Sequence, residues 1–525
     1  MASNGQSSGE SGRARRGRRL VGHSRRRAGD TAQVGVELSR ILVDATFIAA
    51  DDIVANGCSD DPDACGPGDV FVARLTASGD GHDEVERALA RGVSGVVAER
   101  MIPTFGTPLC LVPDSGWAMS RLTHALEGEP ARGLRLIAVT GTSGKTTTAW
   151  LIASVLSEAG LRVGVLSDLG CVDADATEPV AADLGRPGEL AGWLRKLVDG
   201  GCTHAVVEVS SGMLAQHALA GVVCDTVVVT NLASAHLDVH GTAAAYRSVK
   251  SRILACLGLQ GCLVANVDDE RVGRLVARRA AAEAGAAVIT VGLTVDADVT
   301  AAPVERSLSG QTFLVRSGGH ALPIAASTPV ASFARNSLLA VAVGLRFRVP
   351  LERIARGIEA VGCVPGRVER IDRGQDHAAF MDHPTNGHAL AATLAGLRRL
   401  TPGRLVVLAE EAVVERMSAG GGRRDAVLGE FSRRIARWSD ECLVVPETLL
   451  DEEGGAADIA AYARVDRLLS RLSPEDCLLV LGDMPAAGRG PVDPDRRPPS
   501  LAAVVDGWLQ LASDPEPFSA ARRAA

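Results

Sequence analysis

Aromatic side chains are scarce in this 525-residue chain, at 3% of the total, so none of its cores can be built mainly from rings. Its interiors must be filled with Ala, Val and Leu, drawn from a 46% hydrophobic content. That composition suits helices laid over Val-rich strands. Long apolar runs are missing as well: no stretch reaches the ~18 residues that a membrane-spanning helix needs. The basic N-terminus is followed by "LVGHSRRRAGD", which has no apolar segment of the kind a secretory signal carries. Eleven cysteines include no Cys-x-x-Cys pair. Their odd number and scatter fit neither a disulfide framework nor a thiolate metal site, and point to reduced thiols in the cytoplasm.

The formal charge of -8 conceals an asymmetry, because residues 1–30 hold eight Arg against Glu10 and Asp30, a net +6, which leaves -14 for the rest. Rich in Ser, Gly and Arg and nearly devoid of apolar residues, this head cannot offset the entropy of ordering and reads as a disordered basic tail. Its charge allows nonspecific contact with RNA or anionic lipid, but a solvated tail is the plainer reading. No specific nucleic-acid partner and no membrane insertion are expected, and the chain reads as a monomer.

At ~150 residues per domain the length accommodates about three domains. The first, residues 31–132, contains "GDVFVARL" (68–75) and "GVSGVVAE" (92–99) as strands around the helical "HDEVERALAR", and closes on the polar joint "LEGEPARG". The second, residues 133–360, alternates helices with short β-branched runs: "LRLIAVT", "LRVGVLS", "HAVVEVS", "DTVVVTNL", "GCLVANV" and "AAVITVG". Such alternation predicts a mostly parallel sheet covered by helices on both faces. The third, residues 361–515, repeats the pattern in "GRLVVLAEE", "DECLVVPE" and "EDCLLVLGD", with 516–525 as a short tail. The fold class is therefore α/β in three units.

Within the second unit, "IAVTGTSGKTTTAWLI" (137–152) reads as a buried strand ending at Thr140, a glycine turn, and a helix starting near Lys145. The first turn of a helix offers unpaired N–H groups and a positive dipole end, which suits phosphate. Gly141 and Gly144 let the backbone curl around the anion, Lys145 neutralises it, and the Thr146 hydroxyl is placed to hold Mg²⁺. A bare strand-to-helix turn has no need of Lys-Thr-Thr-Thr at the helix start, so nucleotide binding is the reading adopted.

The generic phosphate loop has a Gly five positions before its second Gly, and here that position is Val139. The stretch T-G-T-S-G-K-T-T instead resembles the Mur ligases, ATP-dependent amide-forming enzymes of peptidoglycan synthesis. Further motifs follow in that family's order: "VVEVSS" (206–211), "VVTNLASAHLDVHGT" (228–242), "YRSVKSRIL" (246–254), "NVDDE" (266–270), "FARNSLLAVAV" (333–343) and "VPGRVERI" (364–371). Residues 66–97 are similar to the UDP-binding N-terminal domain of the UDP-N-acetylmuramoyl-tripeptide synthetase branch.

The resemblance implies a UDP-binding-like first domain, a central ATPase domain and a Rossmann-like ligase domain. It also implies a reaction in which a carboxylate of a UDP-sugar peptide attacks the γ-phosphate of ATP, and an amino acid's amine then attacks the acyl phosphate. By the same resemblance Gly141, Thr142, Ser143, Gly144, Lys145, Thr146 and Thr147 serve the nucleotide phosphates, Asn336 the adenine, Arg367 the phosphates and Asp382 the ribose. Thr146, Glu208, His236 and Lys250 are the implied metal ligands, Lys250 as a carbamate, and with Lys145 the last three form the catalytic set. Ser210 and Ser211 fall to the acceptor substrate.

Departures gather on the acceptor side and in the last domain. The family's "EVSSHAL.Q.R" reads "EVSSGMLAQHA", with Gly212 and Ala218 at the His and Arg positions, and Thr-Thr-Pro reads as something like "DLGRP" (183–187). "DHLD" reads "AHLD" with Ala235, and "DYAH" reads "DHPT" with Thr385 in place of His. Beyond residue 400, "SAGGGRRDAVLGE" (418–430), "PETLLDEE" (446–453) and "LGDMPA" (481–486) stand where the family's "GGDRD", "DNPR" and "GKGHE" are expected. Three readings stay open: a ligase of the UDP-N-acetylmuramoyl-peptide type, a related ligase with another acceptor, and an inactive nucleotide-binding paralogue with a regulatory role.

Overall fold

The computed structural model describes residues 35–76, 79–173, 177–178, 184–233, 241–282, 287–417, 424–446, 459–482, and 501, 505 and 509. Contacts divide the chain into two compact units, Met1–Ser115 and Gly116–Ala525. In the first, strands β1 (Thr46–Ile48), β2 (Gly57–Ser59), β3 (Asp69–Val72), β4 (Gly95–Ala98) and β5 (Leu109–Leu111) form one sheet in the order β1-β5-β4-β3-β2. All its pairings are parallel except that of β1 with β5. Helix α1 (Val85–Ala90) follows β3 and packs its Val85 and Ala88 beside Phe71 and Val96.

The second unit begins within helix α2 (Ser115–Leu126) and holds an 11-stranded sheet and a five-stranded one. The centre of the larger sheet is parallel, with β7 (Val163–Ser167), β10 (His204–Glu208), β6 (Arg135–Thr140), β11 (Cys224–Val229), β12 (Leu257–Asn266) and β13 (Ala287–Gly292) side by side. Two short strands, β8 (Gly170–Val172) and β9 (Thr177–Glu178), extend one edge. Residues alternate across a strand, so Ile137 and Val139 of β6 pack under α3 (Lys145–Glu158), α8 (Ala331–Arg346) and α9 (Leu351–Glu359), while Leu136 and Ala138 face α4 (Glu189–Asp199). Both faces are covered, which is why these strands read as unbroken runs of Val, Ile, Leu and Ala rather than alternating ones.

Beyond β13 the sheet continues as an antiparallel meander, β14 (Val299–Ser307), β15 (Gly310–Ser317) and β16 (His320–Ala326), which the sequence reading passed over. Gly310 and the pair Gly318-Gly319, all at positive φ, make its two turns. The five-stranded sheet, ordered β17-β18-β21-β19-β20, comprises β17 (Glu369–Ile371), β18 (Ala378–Asp382), β19 (Leu405–Glu410), β20 (Glu441–Val445) and β21 (Cys477–Leu481). It is parallel except for β17, and α10 (Gly387–Leu400) connects β18 to β19. The α/β architecture expected from the alternating pattern is therefore present in both units. Among the described residues no helix is long and apolar enough to cross a membrane.

Candidate active site

The carboxyl ends of β7, β10 and β6 lie next to one another, and the phosphate loop springs from β6. Gly141 takes φ +153 and sits so close to β11 that a Cβ on it would meet Thr230 Oγ1 at 1.9 Å. Gly144, φ +81, caps α3, and a Cβ there would meet Asn336 Oδ1 at 2.6 Å. The left-handed region and the missing side chain are both required at Gly144. From behind, the loop is pinned by Thr142 N and Ser143 N donating to Asn231 O and Oδ1 (both 3.1 Å), and by Thr230 Oγ1 donating to Ser143 O (2.6 Å). These bonds leave the first turn of α3 to face outward with its N–H groups.

Around that turn stand five charged groups, Lys145, Asp168, Glu208, Lys250 and Arg367. Thr146 Oγ1 donates to Glu208 Oε2 at 2.8 Å, Arg367 Nη2 donates to Thr146 Oγ1 at 3.3 Å, and Lys145 Nζ lies 3.5 Å from Glu208 Oε1. Arg367 is held in turn by the His383 carbonyl, 2.5 Å from Nη1. Glu208 is 3% exposed, yet among the described residues its Oε1 receives no hydrogen bond. Burial pushes its carboxyl above the ordinary range and Asp168 adds to the rise, while Lys145, Arg367 and the Thr146 hydroxyl oppose it. Lys250, buried on α6 (Ala243–Ser251), has Nζ 3.1 Å from Thr140 Oγ1 and 5.5 Å from the Tyr246 ring centre. Burial first, and Lys145 second, hold its ammonium well below the usual lysine value.

The loop opens into a cavity of about 470 Å³ whose other walls come from the end of β12 and the start of α7 (Glu270–Ala282), from α8 and from the residues flanking β18. Asn336 lines it, with no hydrogen-bond partner for its amide among the described residues. Asp382, also in the wall, accepts from Val368 N (3.2 Å) and Thr393 Oγ1 (2.8 Å), and burial raises its carboxyl. A clamp not anticipated from the sequence joins the last sheet to the loop: Asn386 Nδ2 donates to Thr142 O at 2.8 Å, and His388 Nδ1 lies 3.1 Å from Ser143 Oγ. Asn386 also caps α10 through Ala389 N, a role its position before "GHAL" carries in the sequence.

Of the expected site residues, Ser143, Gly144, Lys145, Thr146, Thr147, Asn336, Arg367 and Asp382 converge on this cavity, with Glu208 and Lys250 just behind it. Ser210 and Ser211 do not line it: Ser210 Oγ caps α5 (Ser211–Ala215) by accepting from Met213 N at 3.1 Å. His236, Ala235, Asp238 and Asp183 lie outside the described residues, as do the head to residue 34, the tail after residue 509, and residues 418–423, 447–458 and 483–500. A signal in the sequence that went unused is the lysine count: the chain has three, Lys145, Lys196 and Lys250, against 52 Arg. Two of the three stand at this site, although arginine serves nearly everywhere else.

These residues fit a triphosphate carrying a divalent cation. The cradle is filled by any Cβ, among the described residues the Asn336 amide and Glu208 Oε1 take part in no hydrogen bond, and the donor set of hydroxyl and carboxylate oxygens is the hard kind that Mg²⁺ prefers. Fold and site together define a phosphate-loop nucleotide-binding α/β protein. The family model described as "Mur ligase middle domain" matches residues 139–344. A UDP-N-acetylmuramoyl-L-alanyl-D-glutamate–2,6-diaminopimelate ligase of Chlorobaculum tepidum is 31% identical over 454 residues, 82% of this chain and 87% of that one. A UDP-N-acetylmuramyl-tripeptide synthetase of Roseiflexus sp. is 31% identical over 445 residues, 80% and 83% of the two chains. Among solved structures, one of a UDP-N-acetylmuramoyl-L-alanyl-D-glutamate–2,6-diaminopimelate ligase superposes with a TM-score of 0.66, 21% identity, and coverage of 91% of this chain and 99% of that one. A MurF ligase of Thermotoga maritima in complex with ADP gives 0.57, 18%, and 87% and 98%. The chain belongs to the Mur ligase family.

Proposed function

We propose that this protein is an ATP- and Mg²⁺-dependent ligase that joins an amino acid to a carboxylate of a UDP-N-acetylmuramoyl-peptide-like acceptor, working as a cytoplasmic monomer of three domains with joints near residues 132 and 360. The observation that carries the reading is the convergence of Lys145, Thr146, Glu208 and Arg367 at the carboxyl ends of adjacent strands, where open α/β sheets place their ligands. The reaction brings a carboxylate against a phosphate, so charge neutralisation matters more than an acid or a base. Lys145 and Arg367 supply positive charge on two sides of the transferring phosphoryl group, and the first turn of α3 supplies N–H donors. Thr146 and Glu208, with His236 and Lys250 as further ligands, would hold the cation, whose charge would offset the repulsion between the two anions. The clamp from Asn386 and His388 keeps the last sheet against the loop and so shields the acyl phosphate from water.

Carbamylation of Lys250 belongs to the same reading. Among the described residues its amine has a hydroxyl and a ring as neighbours and no carboxylate in salt-bridge reach, so a carbamate there would provide an anionic oxygen that the site otherwise lacks on that side.

A different acceptor is favoured by one particular of the structure. Ala218, at the position of the family's acceptor-binding Arg, is fully buried, so that position presents no cation to a substrate. Two measurements separate the readings. Phosphate release from ATP that requires acceptor and amino acid together supports a ligase, and its absence under all combinations supports the inactive paralogue. Thermal stabilisation by UDP-N-acetylmuramoyl dipeptide supports the peptidoglycan acceptor, because a ligand stabilises only by binding the folded form; no shift at saturating ligand removes it.

A further inference from the structure

The strand ends beside the phosphate loop carry one more carboxylate. Strand β7 pairs in parallel with β10, Leu166 opposite Val207, so the residue just past β7, Asp168, emerges next to the Glu208 that ends β10. The two are tied together: Asp168 N donates to Glu208 Oε2 at 3.3 Å, the same oxygen that accepts from Thr146 Oγ1. Asp168 lines the cavity with its side chain half exposed. Among the described residues its carboxylate has one partner, a long ion pair. Arg367 Nη2, the nearest cation, stands 3.8 Å from Oδ2, beyond hydrogen-bond reach, and among the described residues the carboxylate accepts no hydrogen bond. Beside it lies a buried oxygen in a like condition, Glu208 Oε1, which accepts no hydrogen bond among the described residues and has only the long ion pair with Lys145 Nζ at 3.5 Å. Two carboxylates therefore stand at the phosphate loop, Asp168 in the cavity wall and Glu208 just behind it, the second bonded to the Thr146 hydroxyl. Left alone, that arrangement repels the substrate; around a cation it becomes a partial coordination shell of the kind that holds Mg²⁺ through one or two carboxylates and the phosphates.

We propose that Asp168 is a ligand, direct or through one water, of the divalent cation that enters with the nucleotide, so that this chain grips the ion from two strand ends, β7 and β10. The proposal rests on the nucleotide reading above, and its test separates the two. Mn²⁺ is titrated into wild-type protein, Asp168→Asn and Asp168→Glu, alone and with a non-hydrolysable ATP analogue, following the free-ion electron paramagnetic resonance signal; analogue binding in EDTA is measured in parallel.

Saturable Mn²⁺ binding by wild type with the analogue is expected; if wild type binds neither, the nucleotide reading itself falls. Asp168→Asn is expected to weaken Mn²⁺ about 10-fold, with Asp168→Glu between the two, and to leave metal-free analogue binding unchanged or tighter because a repelling charge is gone. Equal Mn²⁺ affinity in wild type and Asp168→Asn overturns the proposal while leaving the nucleotide site intact. Parallel loss of Mn²⁺ and of metal-free analogue binding overturns it too, since that is the signature of a distorted loop.

Discussion

Replacing Gly144 by Ala tests how the phosphate loop and the nucleoside wall depend on each other. The residue is at φ +81 and ψ 0, a left-handed conformation that is worth ~1–2 kcal/mol against an L side chain. The new Cβ would also stand 2.6 Å from Asn336 Oδ1 and 3.2 Å from both Asn336 Cγ and Nδ2. Asn336 sits on α8 at 8% exposure, so its amide can escape only by leaving its rotamer, a further ~0.5–1.5 kcal/mol. Gly144→Ala should therefore lower stability by about 2–3 kcal/mol and weaken ATP roughly 5-fold, as a misplaced amide loses one neutral hydrogen bond worth ~1 kcal/mol. In an Asn336→Ala background the collision is absent and only the backbone strain remains, so the same substitution should lose about 1–2 kcal/mol. Urea unfolding and isothermal titration of the four proteins in the double-mutant cycle measure both quantities. If the two substitutions add within ~0.5 kcal/mol, they are independent and the collision inferred from the geometry is not real.

Two further outcomes follow from buried groups. Lys250→Ala should lose most ligase activity and regain part of it with added short-chain carboxylic acids, which replace the carbamate oxygens; an otherwise folded variant that shows no rescue at any concentration removes the carbamate. His124 on α2 is buried, with Nδ1 unpartnered among the described residues and Nε2 3.4 Å from the Ala218 carbonyl, and burial lowers its imidazole from 6.5 to about 4. Because the unfolded chain takes up that proton first, stability should hold above pH 6.5 and fall as pH drops from 6.5 towards 4. The contribution is about 3 kcal/mol in all. In His124→Gln that part of the slope should be absent; a slope identical to wild type shows that His124 does not titrate between the folded and unfolded states.

The parallel strands were legible in the sequence because burial on both faces turns each into a short β-branched run, as in "VVEV" and "VVVT", bounded by turns. The meander Val299–Ala326 was not, since one-sided burial makes its strands alternate and its turns rest on only one or two glycines. The phosphate loop announced itself because Gly141, Gly144, Lys145 and Thr146 are adjacent in the chain. Glu208, Lys250, Asn336 and Arg367 are single residues far apart in sequence, and only the ordered motifs of a family joined them before the fold did. Asp168 and the Asn386–His388 clamp had no such motif: what makes them matter is the neighbour across the strand or the cleft, which spacing along the chain does not encode. Ser210 shows the converse, a residue whose local cap on α5 gives it a structural task that the motif alone did not reveal.

The account stands on a triphosphate held at the start of α3. Isothermal titration of ATP with Mg²⁺ into the full-length chain and into Lys145→Ala, with the variant's fold verified by its unfolding transition, tests this most directly. One site per chain in the wild type, and no measurable binding once the Lys145 ammonium is gone, is the predicted result. Equal affinity in the two proteins would contradict it.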